Sequence, residues 1–375
     1  ALVSTLTVAR QQMVEIAKAL SYNSKVLIMD EPTAALNEAE VETLHGLIRR
    51  FVTPETGVVY ISHRMPELKR IADRITVIRD GHYVDTVNTA ETTVSQVIAR
   101  MVGRQIDTSA RPENVRGDRP VLMSVRDLST KSLLREVSFD LYEGEILGFA
   151  GLMGAGRTEV ARAIVGADPR ARGTIVLRDR EISPRNPAQA AKFGIGYLSE
   201  DRKRYGLMLD QSVSFNTVIS SLADTFSTAG FVDFGGIARV SQEQREALRV
   251  KAPSINQLVR NLSGGNQQKV VIARWLVKNC DVLIFDEPTR GIDVGAKDEI
   301  YTLLNRLASE GKSIIMISSE LPEVLRLSHR VAVMSQGRLS GILPAADATQ
   351  EAIMALATHP DEPPADAITT AEDLR

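Results

Sequence analysis

The sequence is short of cysteine, of charge of either sign in excess, and of long apolar runs. Its 375 residues include one cysteine, Cys280. That excludes an internal disulfide and fits a reducing compartment. The 45 basic and 47 acidic residues leave a net charge of −2, so nothing in the charge balance points to nucleic acid or an acidic membrane surface as partner. No apolar stretch is long enough to cross a bilayer, and no charged segment leads into an apolar one at the N-terminal end. Neither a membrane span nor a secretory signal is therefore expected. What is present is ordinary globular material, 43% hydrophobic and 25% charged, enough for more than one core.

The sequence repeats itself. LTVARQQMVEIAKAL (Leu6–Leu20) resembles LSGGNQQKVVIARWL (Leu262–Leu276), VLIMDEPTAALN (Val26–Asn37) resembles VLIFDEPTRGID (Val282–Asp293), and VYISHRMPE (Val59–Glu67) resembles IMISSELPE (Ile315–Glu323). Each pair lies 256 positions apart. A gapless register over three motifs implies two copies of one domain. The first copy opens five residues before its LTVARQQ, whereas far more chain precedes LSGGNQQ in the second. One and a half tandem copies are expected: residues 1–103 as the C-terminal part of a truncated first domain, 104–120 as an exposed linker, 121–357 as the second domain and 358–375 as a flexible tail.

The runs VLIM, GVVYIS, ITVI, EILGFA, VLIF, SIIMIS and VAVM are short, rich in β-branched residues and bounded by polar residues or glycine. They predict strands buried on both faces. Amphipathic stretches at Ala39–Phe51, Thr158–Val165, Gln267–Val277 and Lys297–Ala308 predict helices between them. The alternation predicts an α/β fold with a mainly parallel sheet. Ser138–Leu141 and Gly337–Ile342 predict antiparallel flanking strands.

Three motifs carry chemistry. GLMGAGRTE (Gly151–Glu159) lies between a predicted strand and a predicted helix. Its glycines let successive amides converge on a phosphate, the helix N-terminus adds positive charge, and Thr158 is placed to ligate Mg²⁺. Arg157 stands where lysine is usual. The bland alternative is a strand–helix turn without a ligand. VLIFDEP (Val282–Pro288) sets Asp286 and Glu287 at the end of a buried strand, where open α/β sheets bind ligands. Asp286 would hold Mg²⁺ through water and Glu287 would polarise an attacking water. The alternative is an acidic cap before a helix, but the recurrence at Asp30–Glu31 favours chemistry. LSGGNQQK (Leu262–Lys269) brings Ser263, Gly264, Gly265 and Asn266 to a helix start. That string alone could be an N-cap.

Together these motifs resemble the nucleotide-binding domain of ABC transporters, a phosphate-loop NTPase fold with a small helical subdomain. The resemblance covers nearly the whole chain outside the linker and tail. It implies ATP and Mg²⁺ as ligands. A phosphate loop would lie at Gly151–Thr158, with Gly151, Gly154, Ala155, Gly156, Arg157, Thr158 and Glu159 in contact with nucleotide, and a signature at Leu262–Gln268. It also implies a Q-loop near Gly196–Lys203, with Glu200 or Asp201 where many relatives have glutamine, a D-loop at Arg290–Asp293, Asp30 beside Mg²⁺ in the first copy, and His63 as the switch histidine. Tandem domains carrying SEDRK, and SSE in place of the second histidine, further resemble monosaccharide-import ATPases. Those are peripheral subunits on the cytoplasmic face of a transmembrane permease, fed by an extracytoplasmic sugar-binding protein.

In that family each ATP is sandwiched between the phosphate loop of one domain and the signature of the other. The first-copy site would combine Glu31 and His63 with the second copy's signature, but its phosphate loop is missing from the sequence. The second-copy site departs from the family pattern at Arg157, at Ser319 in the histidine position, and at Val8-Ala9 in place of signature glycines. Losing ~3 kcal/mol of preorganised charge stabilisation slows chemistry about a hundredfold. A site that binds ATP but hydrolyses it poorly is expected. The segment Val121–Ser138 holds no aromatic residue to stack on adenine. Two rival readings remain, an ABC-type ATPase without a membrane partner and a catalytically weak nucleotide-binding remnant.

Overall fold

In the computed structural model the described residues are 2–358, without 7, 23, 34, 35, 37, 63, 80 and 103–118. Most of the expected linker, all of the expected tail after Thr358, and His63 lie outside them. Two compact units emerge, Ala1–Ile106 with Asp293–Gly295, and Asp107–Ile292 with Ala296–Arg375.

The first unit runs α1 (Val8–Ser21), β1 (Val26–Asp30), α2 (Glu38–Phe51), β2 (Gly57–Ile61), α3 (Met65–Ile71), β3 (Arg74–Arg79), β4 (His82–Asn88) and α4 (Val94–Val102). β1 pairs with β2 in parallel, and β3 pairs with β4 antiparallel. The second unit opens with β5 (Val121–Thr130), β6 (Val137–Tyr142), β7 (Ile146–Gly151), α5 (Arg157–Ile164), β8 (Arg170–Leu177), β9 (Arg180–Ile182), α6 (Pro187–Lys192) and β10 (Ile195–Leu198). A helical stretch follows: one π-helical turn at Arg202–Gly206, then α7 (Val213–Val218), α8 (Leu222–Thr225), the short strands β11 (Ser227–Thr228) and β12 (Phe231–Val232), and α9 (Phe234–Ala247). The unit closes with α10 (Gly264–Val277), β13 (Val282–Asp286), α11 (Val294–Ser309), β14 (Ser313–Ile317), α12 (Leu321–Leu327), β15 (Arg330–Ser335), β16 (Arg338–Pro344) and α13 (Gln350–Thr358).

The main sheet has the order β10-β13-β14-β7-β15-β16, parallel except for the edge strand β16. A second, antiparallel sheet has the order β6-β5-β8-β9. Period-two alternation sends neighbouring side chains of each central strand to opposite faces. Leu283, Phe285, Ile314, Met316, Val331 and Val333 join the core shared with the closing helices. Val282, Ile284, Ile315, Ile317, Ala332 and Met334 join the core shared with α5 and the antiparallel sheet. This is the α/β architecture expected; β16 is the antiparallel flank of the main sheet, whereas β6 is an edge of the separate antiparallel sheet.

All eight helices and strands named in the first unit begin 256 positions before a counterpart in the second, from α1 with α10 to α4 with α13. The likeness reaches single bonds. The Glu31 amide donates to the Ile61 carbonyl at 2.9 Å, and the Glu287 amide donates to the Ile317 carbonyl at 2.9 Å. One expectation fails. β1, β2 and β3 are not buried on both faces: Val26, Ile28 and Ile78 are 61%, 67% and 67% exposed, whereas Val282 and Ile284 are fully buried. In the second unit β7 joins β14 to β15, and the antiparallel sheet and α5 cover the face carrying Val282 and Ile284. The described residues of the first unit contain no counterpart of those elements, so β2 and β3 stay in separate two-stranded sheets and one face is bare.

Candidate active site

β7 ends at Gly151, and after a tight turn the chain enters α5 at Arg157. Two glycines permit this for different reasons. Gly151 has φ +144°, and a Cβ there would lie 2.3 Å from the Met334 carbonyl oxygen, so no side chain fits. Gly154 has φ +77° but faces open space, so its need is conformational and the concavity stays clear. Ala155 is buried beneath, its carbonyl accepting from the Gly337 amide at 2.9 Å. Gly156 caps α5 without any side-chain bond, and Glu159 sits in the first turn. The helix amides therefore have no competing internal acceptor there, and the turn fits a phosphate.

β13 delivers the acids. Thr158 Oγ1 donates to Asp286 Oδ1 at 3.0 Å, and the Tyr197 hydroxyl donates to Asp286 Oδ2 at 3.0 Å. Asp286 is 1% exposed. Burial pushes its pKa up to about 6 against the pull of both hydroxyls. Burial and the facing Asp286 raise the Tyr197 pKa, so that phenol stays protonated. A hydroxyl and a carboxylate this close, below an open phosphate cradle, fit a Mg²⁺ carried by a nucleotide.

Glu287 follows in a left-handed conformation, φ +50°, as Glu31 does at φ +48° in the first unit. Its Oε2 accepts from Ser319 Oγ at 3.0 Å. Arg157 Nη1 donates to the Ser318 carbonyl at 2.6 Å. The phosphate loop, the acidic strand end and the segment after β14 thus meet at one place. Leu134 Cδ2 lies 3.1 Å from the position a Cβ on Gly156 would take, so an aliphatic side chain borders the loop there.

The signature residues are ordered locally. Ser263 precedes α10 but makes no side-chain cap, so the simple N-cap reading fails. Its Oγ instead accepts from Asn266 Nδ2 at 2.9 Å, and Asn266 Oδ1 accepts from the Lys251 amide at 2.8 Å. Added side chains would collide, at Gly264 with the Gly291 carbonyl at 2.9 Å and at Gly265 with Ala296 Cβ at 2.6 Å. Among the described residues no hydrogen bond joins Ser263–Asn266 to Gly151–Thr158. In the first unit Asp30 ends β1 exposed, unlike buried Asp286, and Glu31 follows it. His63 lies outside the described residues.

Sequence reasoning missed the role of Tyr197 on Asp286, although Tyr197 lies within the Q-loop region Gly196–Lys203. It also left Glu200 and Asp201 as alternatives at the Q-loop position. Asp201 caps the π turn, accepting from the Arg204 amide at 3.0 Å. Glu200 forms an ion pair with Arg290. Of the apolar residues after that turn, Tyr205 and Met208 are exposed, whereas Leu207, Val213 and Val218 are buried.

A phosphate cradle at the tip of a parallel strand, with threonine and aspartate below it, defines a phosphate-loop nucleotide hydrolase. Comparison with known proteins narrows this. The family model described as ABC transporter matches residues 134–290. A Burkholderia cenocepacia protein provisionally named ribose/galactose/methyl galactoside import ATP-binding protein 2 is 56% identical over 95% of this chain and 70% of its own length. A similarly named Agrobacterium fabrum protein is 50% identical over 95% of this chain and 71% of its own. The ADP-bound ATP-binding cassette of an ABC transporter superposes with a TM-score of 0.54 at 18% identity, covering 64% of this chain and 96% of that one. A nucleotide-free cassette gives 0.53 at 19% identity, covering 60% and 91%. The chain belongs to the ATP-binding proteins of the ABC transporter family, which are ATP hydrolases.

Proposed function

We propose that this chain is the ATP-binding subunit that powers import of a monosaccharide through a transmembrane permease. The Thr158–Asp286 contact beneath the open glycine turn carries the nucleotide part of this reading. The names of relatives 56% identical over 95% of the chain support the sugar part. Residues 121–357 would form the second nucleotide-binding domain and 1–103 the C-terminal part of the first, joined by 104–120 and followed by the tail 358–375.

Each residue has a role in this proposal. Gly151, Gly154, Ala155 and Gly156 shape the cradle, Arg157 neutralises phosphate charge, and the amides of Thr158 and Glu159 complete it. Thr158 Oγ1 and Asp286 would hold Mg²⁺, which would offset charge on the phosphates. Glu287 orients the attacking water. Ser263, Gly264, Gly265 and Asn266 are the signature residues of the second unit, and Asp30, Glu31 and His63 are the acids and switch histidine that the resemblance implies for the first. The subunit would sit peripherally on the cytoplasmic face of the membrane and meet the permease through exposed Tyr205 and Met208. An extracytoplasmic sugar-binding protein would act indirectly.

A second element concerns rate. Arg157 is engaged with the Ser318 carbonyl and Glu287 with Ser319. This supports a second-unit site that retains ATP and turns it over slowly, with the chain alone a weak hydrolase or inactive. Reconstitution with the permease and sugar-binding protein in vesicles tests the whole reading. Association of the chain with the permease vesicles and slow ATP-dependent uptake of a monosaccharide, the uptake lost in Asp286→Asn, are expected. ATP binding with neither association nor uptake would overturn the transport assignment.

A further inference from the structure

Three stretches of the second unit that are distant in sequence converge on one side chain. Arg202 opens the π-helical turn after β10, a rare local geometry that concentrates at functional positions. Its Nη1 donates to the Arg290 carbonyl at 2.8 Å, and its Nη2 donates to the Gly291 carbonyl at 3.4 Å. The same Nη2 lies 2.6 Å from where a Cβ on Gly264 would stand, at the first residue of α10. Arg202 therefore touches the loop after Glu287 and the signature helix from one base.

The contact is asymmetric in a useful way. Arg202 meets backbone carbonyls and no carboxylate among its hydrogen-bond partners, so it fixes loop position rather than neutralising a charge. Burial lowers its pKa, against the pull of the neighbouring Asp201 carboxylate. The neighbouring Glu200–Arg290 ion pair is exposed and adds little by itself. Asp201 stiffens the base of the turn from the other side by accepting the Arg204 amide. A planar, forked guanidinium reaches two successive carbonyls at once, which a lysine ammonium cannot do with the same rigidity.

We propose that Arg202 is a positioning residue that couples the segment 202–208 to the loop at Arg290–Gly291 and to the start of α10. This rests on the nucleotide site proposed above and deepens it: a change at Thr158, Asp286 and Glu287 passes through the following loop to the exposed Tyr205–Met208 surface, and the reverse path holds by linkage.

Amide hydrogen exchange on the chain, with and without Mg²⁺-ATP, tests this. In the parent chain ATP is expected to slow exchange at residues 203–207 by roughly fivefold, the low end of typical coupling. In Arg202→Met, which keeps the apolar stem, that ATP-dependent difference is expected to vanish while the ATP dissociation constant stays within about twofold of the parent. Arg202→Lys is expected to restore part of it. An arginine serving only local packing would leave the ATP-dependent difference intact in Arg202→Met. Persistence of the difference in that variant overturns the proposal, as does ATP binding without any difference in the parent. Failure of the parent to bind ATP would remove the nucleotide site itself, and the coupling with it.

Discussion

Arg157 Nη1 donates to the Ser318 carbonyl at 2.6 Å, tying the phosphate loop to the end of β14. The residue that the family resemblance assigns to phosphate is thus held by backbone next to Ser319, whose own hydroxyl occupies Glu287 at 3.0 Å. In the proposed site a nucleotide has to compete with one of these bonds, and Glu287, proposed to orient the attacking water, is already engaged. Arg157→Ala is expected to weaken ATP binding about tenfold, the scale of one charge-assisted hydrogen bond. Arg157→Lys is expected to retain most of the affinity. Calorimetric titration of both variants measures it, and equal affinity in Arg157→Ala would mean that Arg157 stays on Ser318 in the bound state.

Asp286 and Thr158 separate metal-dependent from metal-independent binding. Asp286→Asn is expected to lose about tenfold or more of the affinity measured with Mg²⁺. Little change is expected in excess chelator. Parallel titrations under the two conditions check this; an equal loss in both would point to a disrupted loop rather than a lost metal contact.

The two phosphate-loop glycines are expected to differ in stability. Gly151→Ala combines a left-handed backbone with a Cβ 2.3 Å from the Met334 carbonyl oxygen. It is expected to destabilise the second unit by about 3 kcal/mol or more. Gly154→Ala meets only open space and is expected to cost about 1 kcal/mol. Thermal unfolding of both variants tests the order, and reversal would mean that the turn rearranges around Gly151.

A pH effect is expected from His329. Its Nδ1 accepts from the Ile146 amide at 3.0 Å, which only a neutral ring can do. Burial, with Arg119 nearby, pushes its pKa down to about 4 from 6.5. A depressed histidine stabilises the fold above its unfolded pKa, and that contribution is lost as pH falls from 6.5 towards 4. After allowance for solvent screening, the second unit is expected to lose about 2 kcal/mol over that window. Denaturant unfolding at pH 7 and pH 4.5, with His329→Gln as control, measures it; an identical loss in the control would place the effect elsewhere.

The bare face of β1 and β2 predicts association. Val26, Ile28, Val59 and Ile61 are exposed where Val282, Ile284, Ile315 and Ile317 are buried. Apolar sheet surface of this kind invites self-association. Light scattering of the chain is expected to show concentration-dependent oligomers, reduced in the double variant Ile28→Lys, Val59→Lys. Unchanged scattering would show that this face is not what associates.

The sequence by itself determined the elements and the repeat. β-branched runs such as Val282–Phe285 can bury only as strands, and glycines at 151 and 154 meet φ values that side chains resist, so local chemistry was enough. It also named Thr158, Asp286, Glu287 and Ser263–Asn266, because each is marked by a short motif next to a strand or helix end. What it could not decide were contacts between residues distant along the chain. That the Tyr197 hydroxyl caps Asp286, that Glu200 rather than Asp201 reaches Arg290, and that Arg202 lies against Gly264 all follow from how β10, β13 and α10 come together. The burial of a strand was likewise beyond it: VLIM and VLIF carry the same pattern, yet burial depends on which neighbours cover the strand, and only the assembled sheet supplies them.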